Sequence, residues 1–260
     1  MREKILFNKD WRFLGEVPAE RPVKTKSGTY LSAKTGRLKW GPGVYDHVDM
    51  PEHWDLEHEL TPERWQCVDL PHDYIISQTP DPTEVGALGF FKYHHAWYRK
   101  HFTVSECDRD KRIVIYFEAV TGNSEIYLNN CLLHRSTSGY ASFEVDITDV
   151  VDFEKENVLA VYVDPDSREG WWYQGAGIYR NVWLVKTAKT AIDMYGVFLP
   201  VRKSGATLWN IPVEVEVFNV DYSDSKFDVL CDIISPDGRK VADRPASRMD
   251  SLRRKIRFLQ

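Results

Sequence analysis

Residues Gly170 to Leu184 read GWWYQGAGIYRNVWL. Three adjacent aromatics meet a glycine-rich turn, and an apolar, aromatic tail follows. Neighbouring side chains on extended backbone point to opposite faces, so Trp171, Trp172 and Tyr173 cannot all enter one core and at least one must face outward. Gly175 and Gly177 suit a tight or positive-φ backbone that a residue with a Cβ adopts only at a cost. Two readings of the tryptophans stand side by side. They close the end of a β-sandwich as large core fillers with one polar handle each, or they offer a flat indole face to the C–H groups of a sugar ring.

The surrounding sequence is that of an all-β protein. WYRKHFTV (Trp97 to Val104), RIVIYFE (Arg112 to Glu118), SEIYLN (Ser124 to Asn129) and VLAVYV (Val158 to Val163) are short runs rich in β-branched and aromatic residues, the composition of strands. Asn129-Asn130 suits a tight hairpin, because asparagine tolerates positive φ, and Gly122-Asn123 marks a second break. No segment holds a helical period for three turns, so short strands at this spacing predict a sandwich or barrel. The first 96 residues are less regular. Lys24 to Val44 and Gln78 to Gly89 (QTPDPTEVGALG) read as long surface loops and candidate cleft walls.

Near Thr187 to Tyr195 the pattern changes. Val213, Val215 and Val217 alternate with Glu214 and Glu216, and Phe227, Val229, Cys231 and Ile233 alternate with polar neighbours ahead of a Pro236-Asp237-Gly238 turn. That is the signature of half-buried antiparallel strands, read as an immunoglobulin-type sandwich that needs about 100 residues and is incomplete here. The basic tail Arg244 to Gln260 reads as a frayed, incomplete sandwich edge, with an anion-binding patch as the alternative.

Bulk properties narrow the function classes. With 260 residues, 43% hydrophobic and 28% charged, a packed core is within reach. A net charge of −5 of mixed sign leaves no electrostatic reason to bind nucleic acid or an anionic membrane. Cys67, Cys107, Cys131 and Cys231 are too far apart for a zinc or redox motif. Neither a secretory leader nor a membrane span is expected from the sequence, which predicts a cytoplasmic protein.

Trp11-Arg12-Phe13, VDLPHDY (Val68 to Tyr74), Trp97-Tyr98-Arg99-Lys100, Gly122-Asn123-Ser124 and GWWYQGAGIYRNVWL, in that order, resemble the amino-terminal region of glycoside hydrolase family 2. The likeness runs over roughly residues 5–187 and is nearest to bacterial β-galactosidases. It implies a jelly-roll β-sandwich sugar-binding domain over 1–188 and a partial immunoglobulin-like β-sandwich over 189–260. It also implies a TIM barrel, with two catalytic glutamates, that this sequence lacks. A barrel takes about 250 residues. The chain is therefore expected to be a non-catalytic portion of a retaining exo-β-glycosidase. Its implied partners are a β-galactoside or related sugar, the catalytic barrel of the same longer protein, and further copies in a homo-oligomer. β-Glucuronidase, β-mannosidase and a free-standing carbohydrate-binding module are the alternatives.

The resemblance also implies that the segment before the GIYR element, DPDSREGWW (Asp164 to Trp172), reaches toward the barrel. Asp166 and Glu169 are then substrate-binding candidates, since a carboxylate accepts bonds from two vicinal hydroxyls. Of the two tryptophans, one is expected to be buried and the other to line the cleft, with Trp171 the sugar-facing candidate. Asp73 is either a local Asx-type cap or a carboxylate presented to the cleft. Arg180 is expected to stack on an aromatic ring or pair with a carboxylate. His72-Asp73 lacks the nucleophile motif of acyl transfer, and His94 and His95, adjacent on a strand, point apart and do not chelate together. No cofactor site is defined in this chain, although the resemblance implies Mg²⁺ or Na⁺ in the full-length enzyme, since some relatives bind these ions near the active site, mostly through barrel residues.

Overall fold

The computed structural model describes residues 2–17, 65–129, 131–165, 170–207, 209–221, 226–250 and 256–259, with the side chains of residues 17, 241–250 and 256–259 left aside. The Lys24 to Val44 loop expected from the sequence lies outside these residues. The chain divides into two compact units. The larger takes Arg2–Arg109 and Ile113–Lys186, and the smaller takes Thr187–Gln260 with Asp110–Arg112.

In chain order the strands of the larger unit are β1 (Glu3–Leu6), β2 (Trp11–Val17), β3 (Gln66–Val68), β4 (His95–Thr103), β5 (Lys111–Phe117), β6 (Asn123–Leu128), β7 (Cys131–Ser136), β8 (Phe143–Asp146), β9 (Glu156–Asp164) and β10 (Val182–Ala188). They form a six-stranded sheet, β3-β2-β4-β9-β6-β7, and a four-stranded sheet, β1-β10-β5-β8. The strand pairs described are antiparallel throughout, for example Trp97 opposite Tyr162 and Tyr98 opposite Val161. Among the described residues there is no α-helix, only short 3-10 turns at Gly86–Leu88 and Glu106–Asp108.

Strand alternation makes the two sheets a sandwich. Tyr98 of β4, Ile126 of β6 and Val161 of β9 enter one core with Ile113, Ile115 and Phe117 of β5 and Val182 and Leu184 of β10. Each fully buried side chain of this kind contributes about 1.5–3 kcal/mol. The intervening residues of the six-stranded sheet, Leu14, Trp97, Tyr127, Ala160 and Tyr162, form a second buried cluster on the other face. Because this sheet is covered on both faces, β9 reads VLAVYV, a continuous apolar run in place of an apolar-polar alternation. The guanidinium of Arg99, itself buried, lies 3.9 Å from the Trp65 ring centroid beside that cluster.

The hairpin expected at Asn129-Asn130 joins β6 to β7, with Asn129 at φ 48°. Its amide is tied to Asn157 (Nδ2 to Oδ1, 2.8 Å), and Asn157 is fully buried. Asn157 Nδ2 donates to the carbonyls of Asp152 (2.7 Å) and Lys155 (3.2 Å), and its Oδ1 also accepts from the Asp152 amide at 2.8 Å.

The smaller unit is also antiparallel. β11 (Thr190–Phe198) pairs with β14 (Glu214–Asn219), β12 (Arg202–Lys203) with β13 (Trp209–Asn210), and β15 (Lys226–Ile234) with β16 (Lys240–Asp250). Val215 and Val217 are buried while Glu214 and Glu216 are only partly covered, as the alternation requires; at the strand's end Phe218 is buried as well. Gly238 at φ 83° turns β15 into β16. Among the described residues the tail does not fray as expected. Its backbone enters β16 and β17 (Ile256–Leu259), which pairs with β14. An unpaired edge of β14 would leave a row of N–H and C=O groups without partners, and β17 satisfies them.

Asn157→Ala removes four hydrogen bonds at a fully buried position and strands several backbone groups. The expected loss is at least about 2 kcal/mol. It is read as a lower urea midpoint at unchanged m value.

Candidate functional site

The LPHDY loop and the GAGI segment are stitched together like two strands, although neither belongs to a sheet. The His72 amide donates to the Ile178 carbonyl (2.9 Å) and the Tyr74 amide to the Ala176 carbonyl (3.1 Å). From the opposite side the Thr121 amide donates to the Gly177 carbonyl at 2.9 Å. The Leu70-Pro71 bond that leads into the loop is cis.

Both glycines have a stated reason to be glycines. Gly175 (φ 66°) faces the Asp73 carboxylate, and Gly177 (φ 126°) faces the His72 carbonyl and the Tyr98 hydroxyl. A Cβ at either position would fall inside van der Waals distance of those oxygens, on a backbone that L-residues rarely adopt. The positive φ expected for Gly175 and Gly177 is thus present.

Asp73 is the hub of the junction. Its Oδ1 accepts from the Ile75 amide (3.0 Å), an Asx-type turn, and from the Ala176 amide (3.2 Å). Its Oδ2 accepts from the Tyr173 hydroxyl at 2.6 Å. A carboxylate offers about four acceptor sites, so three protein donors leave it little spare capacity. The local capping role expected as one of two alternatives is present, widened to a bridge between loops. Tyr173 also packs edge-on against Phe91, with ring centroids 5.6 Å apart. Burial, then the neighbouring Asp73 carboxylate, holds its phenol far above the usual range. Tyr173 therefore remains a hydrogen-bond donor at any working pH.

His72 Nδ1 lies 2.8 Å from the Tyr98 hydroxyl, and its ring meets Phe13 edge-on. Burial lowers the His72 pKa, against the opposing pull of Asp73, and raises that of Tyr98 well above its ordinary value. A neutral His72 paired with a neutral tyrosine is part of the packing. His94 packs on Tyr74, and His95 stacks on Tyr162 with its Nδ1 2.7 Å from that hydroxyl. The two histidines serve separate neighbourhoods, as strand geometry requires. Arg180 is exposed, its guanidinium 5.5 Å from the Tyr179 ring centroid. Among the described residues no group of three or more His, Cys, Asp or Glu converges to hold a metal ion.

The expectation that one of the two tryptophans is buried does not hold. Trp171 is 90% exposed and Trp172 55%. The inward place is taken by Tyr173, whose hydroxyl reaches a carboxylate that an indole N–H at the same position could not match in reach. Asp166 and Glu169 lie outside the described residues. The Gln78 to Gly89 loop, expected as a cleft wall, is internally tied. The Asp81 amide donates to the Phe90 carbonyl (2.7 Å), Asp81 Oδ1 accepts from the Thr83 amide (2.9 Å) and hydroxyl (2.7 Å), and Leu88 is buried beneath it. Sequence reasoning missed Tyr173, whose partner lies 100 positions away.

The tail of the motif is a clamp on the four-stranded sheet. Asn181 Nδ2 and Trp183 Nε1 donate to the two oxygens of Glu118 (3.0 and 2.8 Å), and Asn8 Nδ2 donates to Asn181 Oδ1 (2.8 Å).

With this geometry in place, likeness to known proteins is informative. Residues 69–190 match the family described as glycosyl hydrolase 2 galactose-binding domain-like. The chain is similar to a β-galactosidase of Bacteroides ovatus, 33% identical over 269 aligned residues that cover 100% of the chain and 27% of the relative. It is also similar to a β-glucuronidase of Formosa agariphila, 26% identical across 68% of the chain and 21% of the relative. A solved family 2 glycosyl hydrolase from Bacteroides cellulosilyticus superposes with a TM-score of 0.76 at 25% identity, covering 99% of this chain and 30% of that one. Residues 69–190 carry the galactose-binding-like domain of glycoside hydrolase family 2, and the chain as a whole is similar to the amino-terminal region of that family's enzymes. It spans about a quarter of the length of these curated relatives.

Gly177→Ala forces a side chain into the His72 carbonyl and the Tyr98 hydroxyl at positive φ. The variant is expected to lose more than about 1 kcal/mol, seen as a lowered melting temperature.

Proposed function

We propose that this chain is the non-catalytic amino-terminal portion of a retaining exo-β-glycosidase that removes terminal β-D-galactosides. The single observation that carries the reading is the 33% identity over the whole chain to a β-galactosidase. β-Glucuronidase is the second reading, favoured by the likeness to a relative of that name. Retaining hydrolysis needs two carboxyl groups about 5–5.5 Å apart across the scissile bond, and in this reading a catalytic barrel of the same longer polypeptide supplies them. The smaller unit is then part of an immunoglobulin-like spacer, and the assembled enzyme is a cytoplasmic homo-oligomer.

The chain's own contribution is the rim of the pocket. A loop that helps bind substrate must be held in place before the substrate arrives, because ordering it on binding would cost affinity. The bond from Tyr173 to Asp73 and the glycine contacts supply that order. Asp166 and Glu169, which come just before the exposed Trp171 in sequence, are the carboxylates that accept sugar hydroxyls. Asp73 acts mainly by holding Tyr173.

Kinetics on aryl glycosides test the reading. The longer polypeptide that contains this chain is expected to hydrolyse aryl β-galactosides in preference to aryl β-glucuronides, and the purified 260-residue chain to hydrolyse neither. A preference for glucuronides selects the second reading, and turnover by the chain alone overturns the non-catalytic role.

In the longer polypeptide, Glu169→Gln or Asp166→Asn removes the charge at nearly constant volume. Loss of a charge-assisted bond of about 1.5–3 kcal/mol lowers kcat/KM roughly 10- to 150-fold with an unchanged melting temperature. Wild-type kinetics in both variants would remove Asp166 and Glu169 from the pocket.

A further inference from the structure

Gly170 carries an observation that the motif alone does not explain. A Cβ built on Gly170 would lie at nearly the same distance from Cη2, Cζ3 and Cζ2 of Trp172. A point equally far from three atoms of a regular six-membered ring lies on the axis through its centre. The Trp172 ring therefore rests face-on against the Gly170 backbone, and no residue with a side chain could take that seat without displacing it.

This arrangement covers one indole face at Gly170, while Trp172 as a whole stays 55% exposed, against 90% for Trp171. The next residue, Tyr173, is anchored by Asp73 and Phe91, so the backbone that carries the plate is held beside it. A tryptophan that anchors a protein interface inserts into a pocket and is covered on both faces. A plate pinned flat on one side offers a single planar, apolar surface, which fits a ring-shaped ligand with C–H groups on one side.

We propose that Trp172, seated on Gly170, is the sugar-stacking surface of this chain, and that its ligand is a neutral pyranose presenting an apolar C–H face. Trp171, the candidate chosen from the sequence, is 90% exposed. The choice of a galactopyranoside as ligand rests on the glycosidase reading above. The stacking geometry itself does not.

The test uses the 260-residue chain with isotope-labelled tryptophan and methyl β-D-galactopyranoside as the probe. The expected result is a saturable shift of the Trp172 indole N–H signal with added sugar. Trp172→Ala and Gly170→Ala are expected to abolish sugar binding, measured by saturation transfer to the ligand, while Trp171→Ala retains it. Trp172→Phe, which keeps a smaller ring face, retains binding more weakly. Backbone amide spectra check that each variant is folded, and Trp172→Phe carries the test if Gly170→Ala is not. An indole signal that ignores the sugar at its highest soluble concentration overturns the proposal, as does binding that survives Trp172→Ala. Loss of binding in Trp171→Ala also overturns it, by moving the surface to the neighbouring residue. A Trp172 signal that responds to the sugar, in a protein whose longer form leaves β-galactosides intact, sinks the galactosidase reading alone. The reverse outcome sinks the stacking surface alone.

Discussion

Close approach of two loops without room for a Cβ is the constraint on which the candidate site depends. Gly175 sits against the Asp73 carboxylate, and Gly177 against the His72 carbonyl and the Tyr98 hydroxyl. Only at this distance can the His72 and Tyr74 amides reach the carbonyls of Ile178 and Ala176, and only then does the Ala176 amide reach Asp73. A long irregular segment would otherwise carry unpaired backbone groups at the end of a sandwich. The glycines convert it into a fixed ledge.

That ledge decides which aromatic faces inward. Asp73 has its carboxylate filled by two backbone amides and one phenol, so Tyr173 turns toward the core and Trp171 and Trp172 turn to solvent. Exposing two large indoles is unfavourable in an isolated domain, yet here it follows from satisfying the partly buried Asp73 network. Exposed aromatic surface on a rigid base is what a binding rim requires.

The same economy of polar groups governs the body of the sandwich. Asn157 organises the turn below the β6–β7 hairpin, and Glu118 holds Asn181 and Trp183. The conspicuous letters of GIYRNVWL thus divide. Asn181 and Trp183 clamp the sheet, whereas Arg180 lies exposed over Tyr179. A motif legible as one unit in sequence performs separate tasks in three dimensions.

The all-β class, β4, β5, β6 and β9, the hairpin at Asn129, the positive φ of Gly175 and Gly177 and the family resemblance were all legible in the amino-acid sequence. Each rests on local physics: strand composition, turn chemistry and the steric freedom of glycine act over a few neighbouring residues. The inward turn of Tyr173 and the outward turn of both tryptophans were not legible, nor was the pairing of β17 with β14. Those outcomes depend on partners far away in the chain, with Asp73 at a separation of 100 positions from Tyr173 and β14 some forty residues before β17. Alternation along a strand says that adjacent side chains part. Which one goes inward is decided by the acceptor that waits there, and the acceptor's position is a property of the folded molecule.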